Sequence, residues 1–232
     1  PIVMTIANRA VGAPINIWND HSDAMALRDA GWIQLYAADN QEAADLHVQA
    51  FRLAEELSVP VMVCMDGFVL THAFEAVDVP DPGDVDRFLA DVRPRRLLDP
   101  DQPSSVGALV GPEAFTEVRY LAHQGLLRAL DELPRVADRF ADQFGRRSGG
   151  LIRPYRLDDA RLVVIAMGSV LGTLEDVVDE LRDDGIPVGV LGITMYRPFP
   201  ADAIRQALRD VKRVLVLERA FAPGVGGIVT GD

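Results

Sequence analysis

After a short apolar run, the chain carries Asn8-Arg9-Ala10-Val11-Gly12-Ala13-Pro14-Ile15-Asn16-Ile17-Trp18-Asn19-Asp20-His21-Ser22-Asp23. An arginine, a histidine and two aspartates fall close together there. Loops at strand ends project such side chains into crevices of α/β proteins. Arg9 sits at the end of a strand-like run, not on a solvated helix face, and its planar guanidinium fork suits a carboxylate. By spacing alone, a structural ion pair with Asp20 or Asp23 accounts for Arg9 equally well. Asp20-His21 has no second ligand pair at metal-binding spacing, so no zinc site is expected. Asp23 suits the N-cap of the following helix. Alternatively, Asp20 and Asp23 hold Arg9 and His21 in place. A loop histidine such as His21 fits a functional role or none.

The elements that must position these groups are read from hydrophobic patterning. Apolar runs at 2–7, 14–18, 32–37 and 59–65 are expected to be strands. Their near-continuous hydrophobicity suits a parallel sheet covered on both faces. Between the last two, Ala43, Leu46, Ala50, Leu53, Ala54 and Leu57 recur at helical spacing. Asp39 with Glu42 three residues on forms a capping-box pattern for that helix. The unit is βαβ, with a right-handed crossover as the default. A second helix is expected from about residue 24 to 29.

Residues 78–111 are rich in Pro, Asp and Gly and read as a connecting arm with little regular structure. Residues 113–145 read as largely helical with an interruption at Pro134, and Arg146-Arg147-Ser148-Gly149-Gly150 marks a boundary. Beyond it, 162–167, 187–194 and 213–217 read as strands and 174–184 and 200–209 as helices, a second βαβαβ unit. Pro200 falls in the first turn of its helix. The turn Gly168 to Thr173 has neither the lysine of a Walker loop nor the dinucleotide glycine pattern, so Thr173 is read as a helix cap. Arg197, in Tyr196-Arg197-Pro198-Phe199-Pro200, is read as an interface or structural pairing residue rather than an anion contact.

Composition bounds the function. The formal net charge of -12 argues against nucleic acid and anionic membrane surfaces as partners. Hydrophobic residues make up 49%, enough for a sizeable core. The single cysteine, Cys64, rules out an internal disulfide and lies in an apolar run that suits a buried thiol. No secretory signal and no span of membrane length is visible, so a cytoplasmic location is expected. The abrupt strand at residue 1 and the element that starts near 226–232 read as the ends of an internal fragment.

Asn8-Arg9-Ala10, the stretch 14–23, Gly31-Trp32-Ile33-Gln34 and Asp39-Asn40-Gln41-Glu42-Ala43 resemble, in order, the α subunit of 2-oxoacid:ferredoxin oxidoreductases of the pyruvate type. Met65-Asp66-Gly67-Phe68, Thr71-His72, Met167-Gly168-Ser169 and Tyr196-Arg197-Pro198-Phe199-Pro200 continue the likeness through the chain. The resemblance implies an α/β fold of two parallel-sheet units. Residues 1–80 would be the second half of a thiamine-diphosphate pyrimidine-binding domain. Residues 81–150 would be a connecting arm with helices, and 151–232 a truncated transketolase C-terminal-like domain.

It also implies oxidative decarboxylation of pyruvate with coenzyme A to acetyl-CoA and CO2, with electrons passed to ferredoxin. Thiamine diphosphate and Mg2+ would be shared with a partner subunit or domain, and [4Fe-4S] clusters would reside on partner subunits of the beta, gamma and delta types. Arg9 matches the arginine that contacts the substrate carboxylate, with Asn8 beside it. Asp20, His21 and Asp23 would stand behind that contact, and Gln41 and Glu42 would reach the cofactor, although helix capping explains Glu42 equally well. No residue is assigned to a metal. Branched-chain or other 2-oxoacid specificity, or a non-catalytic assembly subunit of a thiamine-dependent dehydrogenase, are the alternatives. The family's activating glutamate and its threonine-bearing loop lie N-terminal to the matched segment. The isolated chain is therefore expected to bind thiamine diphosphate weakly or not at all and to be inactive; tight binding by titration calorimetry would overturn this.

Overall fold

Two four-stranded sheets, each with one antiparallel edge strand, organise the chain. The computed structural model describes residues 2–90, 98–105, 107, 109–221, 223–224 and 227. The element expected near 226–232, apart from residue 227, and the part of the arm at 91–97 fall outside the described residues. In chain order the first unit comprises β1 (Val3–Asn8), α1 (Ser22–Met25), β2 (Ile33–Tyr36), α2 (Asn40–Leu57) and β3 (Val61–Asp66). Helices α3 (Pro82–Leu89), α4 (Pro112–Leu127) and α5 (Ala129–Phe144) follow. The last third holds β4 (Ile152–Tyr155), β5 (Leu162–Ala166), α6 (Val170–Asp183), β6 (Val188–Ile193), β7 (Met195–Arg197), α7 (Ala201–Ala207) and β8 (Arg213–Val216).

The first sheet has the order β1-β3-β2-β7 and the second β4-β6-β5-β8. β1, β3 and β2 are mutually parallel, as are β6, β5 and β8, whereas β7 and β4 run antiparallel to their neighbours. β7 comes from the last third of the sequence but pairs with β2 of the first unit. The run 187–194, expected as one strand, therefore ends at Ile193 in the second sheet, and the chain crosses to the first within a residue.

Period-two alternation explains how the sheets share a core. On the first sheet, Ile33, Leu35, Val61 and Val63 face Leu46, Ala50, Leu53, Leu57 and Leu133 of α2 and α5. The intervening Tyr36, Met62 and Cys64 face the other way and pack with Val163, Ile165, Leu191, Ile193 and Tyr196. On the second sheet, Ala166, Val188 and Val190 turn to Leu171 and Val178 of α6. Each fully buried side chain of this kind contributes about 1.5–3 kcal/mol. Burial pushes the Cys64 thiol well above its ordinary pKa, so it stays a neutral core group.

Four expectations from sequence give way to tertiary context. Residues 14–18 form no strand; Ile15 is 80% exposed there, and Pro14 offers no N–H to a ladder. The arm contains α3, whose Asp81 caps the Gly83 N–H ahead of Pro82 in the first turn. Pro134 lies inside α5, and the interruption falls upstream at Arg128, where α4 gives way to α5. A proline ring clashes with the carbonyl of the preceding turn, so distortion is expressed before the ring. Thr173 lies within α6, which begins after Ser169.

The arm is strapped to α2. Arg52, almost fully buried in α2, donates to the Phe88 carbonyl and pairs with Glu56 at 2.8 Å. Arg146 makes a two-pronged bond to buried Asp45 of α2, at 2.9 and 2.7 Å, and reaches Asp78 at 2.7 Å. Phe88, Phe140 and Phe144 fill the space between α3 and α5. Truncating the fully buried Phe140 to alanine is expected to cost about 3–5 kcal/mol in urea denaturation. A loss below about 1 kcal/mol would mean that α3 and α5 do not depend on this cluster.

Candidate active site at the strand ends

The carboxyl ends of parallel strands are where open α/β sheets place ligands. Here β1 ends on Asn8 directly opposite Asp66 at the end of β3, and Tyr36 ends β2 opposite Cys64. Gly67 follows Asp66 and donates its N–H to the Asn8 carbonyl at 3.1 Å. A Cβ at Gly67 would lie 2.3 Å from that oxygen, so no other residue permits this approach.

Arg9 emerges from β1 with its side chain exposed. Among the described residues its guanidinium makes no ion pair and no hydrogen bond, so it does not pair with Asp20 or Asp23. Its backbone is fixed instead: the Arg9 N–H donates to Asp23 Oδ2 at 2.9 Å, and Asn8 Nδ2 donates to Asp23 Oδ1 at 2.8 Å. Asp23 lies within the first turn of α1, where His21 takes the N-cap position. Asp20 accepts from the Ser22 N–H at 2.7 Å and shapes the turn into that helix. Asn8 is fully buried, and its Oδ1 has no partner among the described residues. An exposed, unpaired guanidinium whose backbone is held at a strand end is an arrangement that can receive a carboxylate.

His21 is 1% exposed. Its Nε2 meets Asp66 Oδ1 at 2.8 Å, its backbone N–H donates to the Arg219 carbonyl at 3.0 Å, and its ring packs edge-on against Tyr36. Asp66 Oδ2 accepts from the Ser169 N–H at 2.9 Å, from Ser169 Oγ at 2.5 Å and from Arg219 Nη1 at 2.8 Å. Burial opposes the Asp66 charge, but the bonds from His21 and Ser169 and the Arg219 charge outweigh it, holding the carboxyl below its ordinary pKa. The turn at Gly168, with a φ of +76°, leaves no room for a Cβ, which would sit 2.6 Å from Asp66 Oδ1. That turn superficially suits a phosphate, yet its anion position holds the chain's own carboxylate.

Above the strand ends, Trp18 packs edge-on against Phe68 at 4.3 Å, and Phe68 meets His72 at 4.6 Å. Phe68 adopts a φ of +65°, which is strained for a bulky side chain, and the Thr71 hydroxyl accepts its N–H at 2.9 Å. The result is an aromatic shelf formed just beyond the carboxyl end of β3.

Gln41 and Glu42 stand at the start of α2 and their side chains turn into the scaffold. Gln41 binds both the N–H and the carbonyl of Asp78, at 2.7 and 3.0 Å. Glu42 accepts from the Ala38 N–H at 2.8 Å, while Asp39 caps the Glu42 N–H at 2.7 Å. Burial raises the Glu42 pKa more than the Ala38 bond and the Arg153 charge lower it. Among the described residues, no three His, Cys, Asp or Glu side chains stand together as a metal site. Sequence reasoning assigned no role to Asp66, Ser169 or Arg219. The first carries the same signal as Arg9, a charged residue closing an apolar strand. Ser169 lies in the Met167-Gly168-Ser169 motif of the family likeness, but neither it nor Arg219 shows its pairing in the sequence, because the partner is distant.

Residues 1–136 match the family described as pyruvate flavodoxin/ferredoxin oxidoreductase, thiamine diphosphate-binding. Residues 160–232 match the pyruvate:ferredoxin oxidoreductase core domain II. Pyruvate synthase subunit PorA of Methanosarcina barkeri is 48% identical over 97% of this chain and 56% of its own length. PorA of Methanothermobacter thermautotrophicus is 45% identical over 98% of the chain and 60% of its own length. Ketoisovalerate oxidoreductase subunit VorA of Pyrococcus abyssi is 37% identical, over 99% and 58% respectively. The chain thus spans somewhat more than half the length of these relatives. A 2-oxoglutarate:ferredoxin oxidoreductase from Magnetococcus marinus superposes with a TM-score of 0.69 at 14% identity, covering 94% of this chain and 41% of that one. At that identity the likeness speaks to the fold alone.

Because folding lowers the Asp66 pKa, the stabilisation it brings is complete above the unfolded carboxylate value of about 3.9. It is lost as pH falls through the lower folded value. Asp66→Asn is expected to cost about 3–5 kcal/mol at neutral pH and to flatten the acid side of the stability profile. Urea denaturation across pH checks this, and equal acid slopes for variant and parent would refute it.

Proposed function

Because the chain belongs to the pyruvate flavodoxin/ferredoxin oxidoreductase family, we propose that it forms the 2-oxoacid-binding wall of an enzyme that oxidatively decarboxylates pyruvate with coenzyme A and delivers electrons to ferredoxin. One observation carries the reading: an exposed, unpaired arginine held by its backbone at the end of a parallel strand. Residues 1–80 act as the second half of the pyrimidine-binding domain, 81–150 as the arm, and 151–232 as the transketolase C-terminal-like unit. Partner subunits of the beta, gamma and delta types complete the assembly in the cytoplasm.

Arg9 receives the 2-oxoacid carboxylate through a charge-assisted bond. Asn8, expected from sequence to contact the substrate too, is buried and bonded to Asp23 and so holds the strand end from which Arg9 projects. Decarboxylation moves the carboxylate charge away from Arg9, so a contact that is open and solvated on one side serves better than a tight buried clamp. Asp23 keeps the Arg9 backbone in register, and the shelf of Trp18 and Phe68 limits water at the mouth. Asp20 and His21 act behind the contact by shaping the loop. Gln41 and Glu42 support the cofactor side through the backbone of Asp78 and Ala38. Thiamine diphosphate with Mg2+, shared with a partner subunit, would supply the electron sink, and [4Fe-4S] clusters on partner subunits the route to ferredoxin.

Pyruvate is favoured over branched-chain 2-oxoacids because the relatives of higher identity carry the pyruvate synthase name. In the assembled complex, Arg9→Ala is expected to lose about 1.5–3 kcal/mol of carboxylate binding, or about 10–150-fold in kcat/KM for pyruvate. Ferredoxin reduction assays measure it. An unchanged rate would favour a non-catalytic assembly subunit, and faster turnover of ketoisovalerate than pyruvate would favour the branched-chain specificity.

A further inference from the structure

We propose that Asp66 is a positioning residue through which the C-terminal segment holds the substrate loop in its binding conformation, with Arg219 and Ser169 as its partners. This rests on the reading of Arg9 as the carboxylate contact. The geometry follows from one fully buried carboxylate and the parts of the chain that meet on it. His21 comes from the loop that carries Arg9, Ser169 from the turn before α6, and Arg219 from the segment after β8. Arg219 Nη1 also donates to Ser169 Oγ at 3.0 Å, which closes the cluster on itself.

Arg9 is fixed from two directions, and both run through this cluster. Gly67, the residue after Asp66, binds the Asn8 carbonyl from the β3 side. Asp23, two residues after His21, binds Asn8 and the Arg9 N–H from the loop side. The C-terminal segment touches the loop a second time where the Arg219 carbonyl accepts the His21 N–H. The long stretch between Arg9 and Asp20 contains no helix or strand of its own. Its conformation therefore depends on what holds its two ends, and one end, at His21, is held by Arg219 from the far part of the sequence.

Substrate affinity is thereby tied to docking of the C-terminal unit. Loosening Arg219 frees the loop, and Arg9 then meets the carboxylate less often in the right place. The loss falls on substrate binding more than on the steps after binding, so KM for the 2-oxoacid rises more than kcat falls. In the reading of Arg9 as the 2-oxoacid carboxylate contact, coenzyme A does not depend on Arg9, so its KM serves as the internal control.

The test uses the assembled complex carrying Arg219→Gln, with Ser169→Ala as a milder variant that removes only a hydroxyl and Arg219→Lys as the conservative rescue. Hydrogen exchange is expected to quicken by about tenfold or more at amides of 9–25 in Arg219→Gln, the loss of roughly one charge-assisted bond, while α2 stays protected. KM for pyruvate should rise by about tenfold, with the Lys variant recovering most of it and KM for coenzyme A unmoved. Unchanged exchange at 9–25 in both Arg219→Gln and Ser169→Ala would overturn the proposal. So would equal losses for both substrates. If the parent complex does not oxidise any 2-oxoacid, the functional reading fails, and the exchange measurement still decides the coupling.

Discussion

A carboxylate withdrawn from water is costly unless donors surround it, and Asp66 is met by donors from three separate parts of the chain. Its ionised form is held in place against burial, so the cluster cannot be relaxed by simply taking up a proton near neutrality. Local geometry bends to accommodate it. Gly67 lies so close to β1 that a side chain would strike the Asn8 carbonyl, and Gly168 leaves space for the carboxylate where any Cβ would collide. The start of α6 donates a backbone N–H to that carboxylate, in keeping with the preference of helix N-termini for negative charge.

Around this polar centre the two sheets share one apolar core. Tyr36, Met62 and Cys64 from the first sheet interleave with Val163, Ile165, Leu191 and Ile193 from the second. β7 reinforces the union by joining the first sheet from the far end of the sequence. Apolar burial supplies most of the driving force for the packing, while the Asp66 cluster supplies its orientation, because hydrogen bonds to a buried charge tolerate little displacement. The loop between Arg9 and Asp20 inherits its place from both.

The site is unequal in how it treats its members. Asn8, Asp23 and His21 are committed to holding structure, and Gln41 and Glu42 are committed to the arm and to the start of α2. Among these, Arg9 has its whole charged head group exposed and unengaged within the described residues. Relatives named for pyruvate and for ketoisovalerate both resemble this chain.

Much of the fold was legible because it rests on local physics. The strands at β1, β2, β3 and β5 announce themselves by continuous apolar residues, and α2 by helical spacing and its Asp39 cap. Arg9 was legible for the same reason, as a charge that closes a strand. The Asp81-Pro82 start of α3 was also written locally, but the loop-like composition around it obscured the signal. What the sequence by itself determined is therefore the inventory: which segments are strands and helices, which faces are apolar, and which charged groups stand at strand ends. Tertiary structure alone decided that 14–18 would not be a strand, that β7 would join the first sheet, and that Asp66, Ser169 and Arg219 would meet. Propensity and periodicity are properties of neighbours in sequence, whereas pairing a buried charge is a property of neighbours in space.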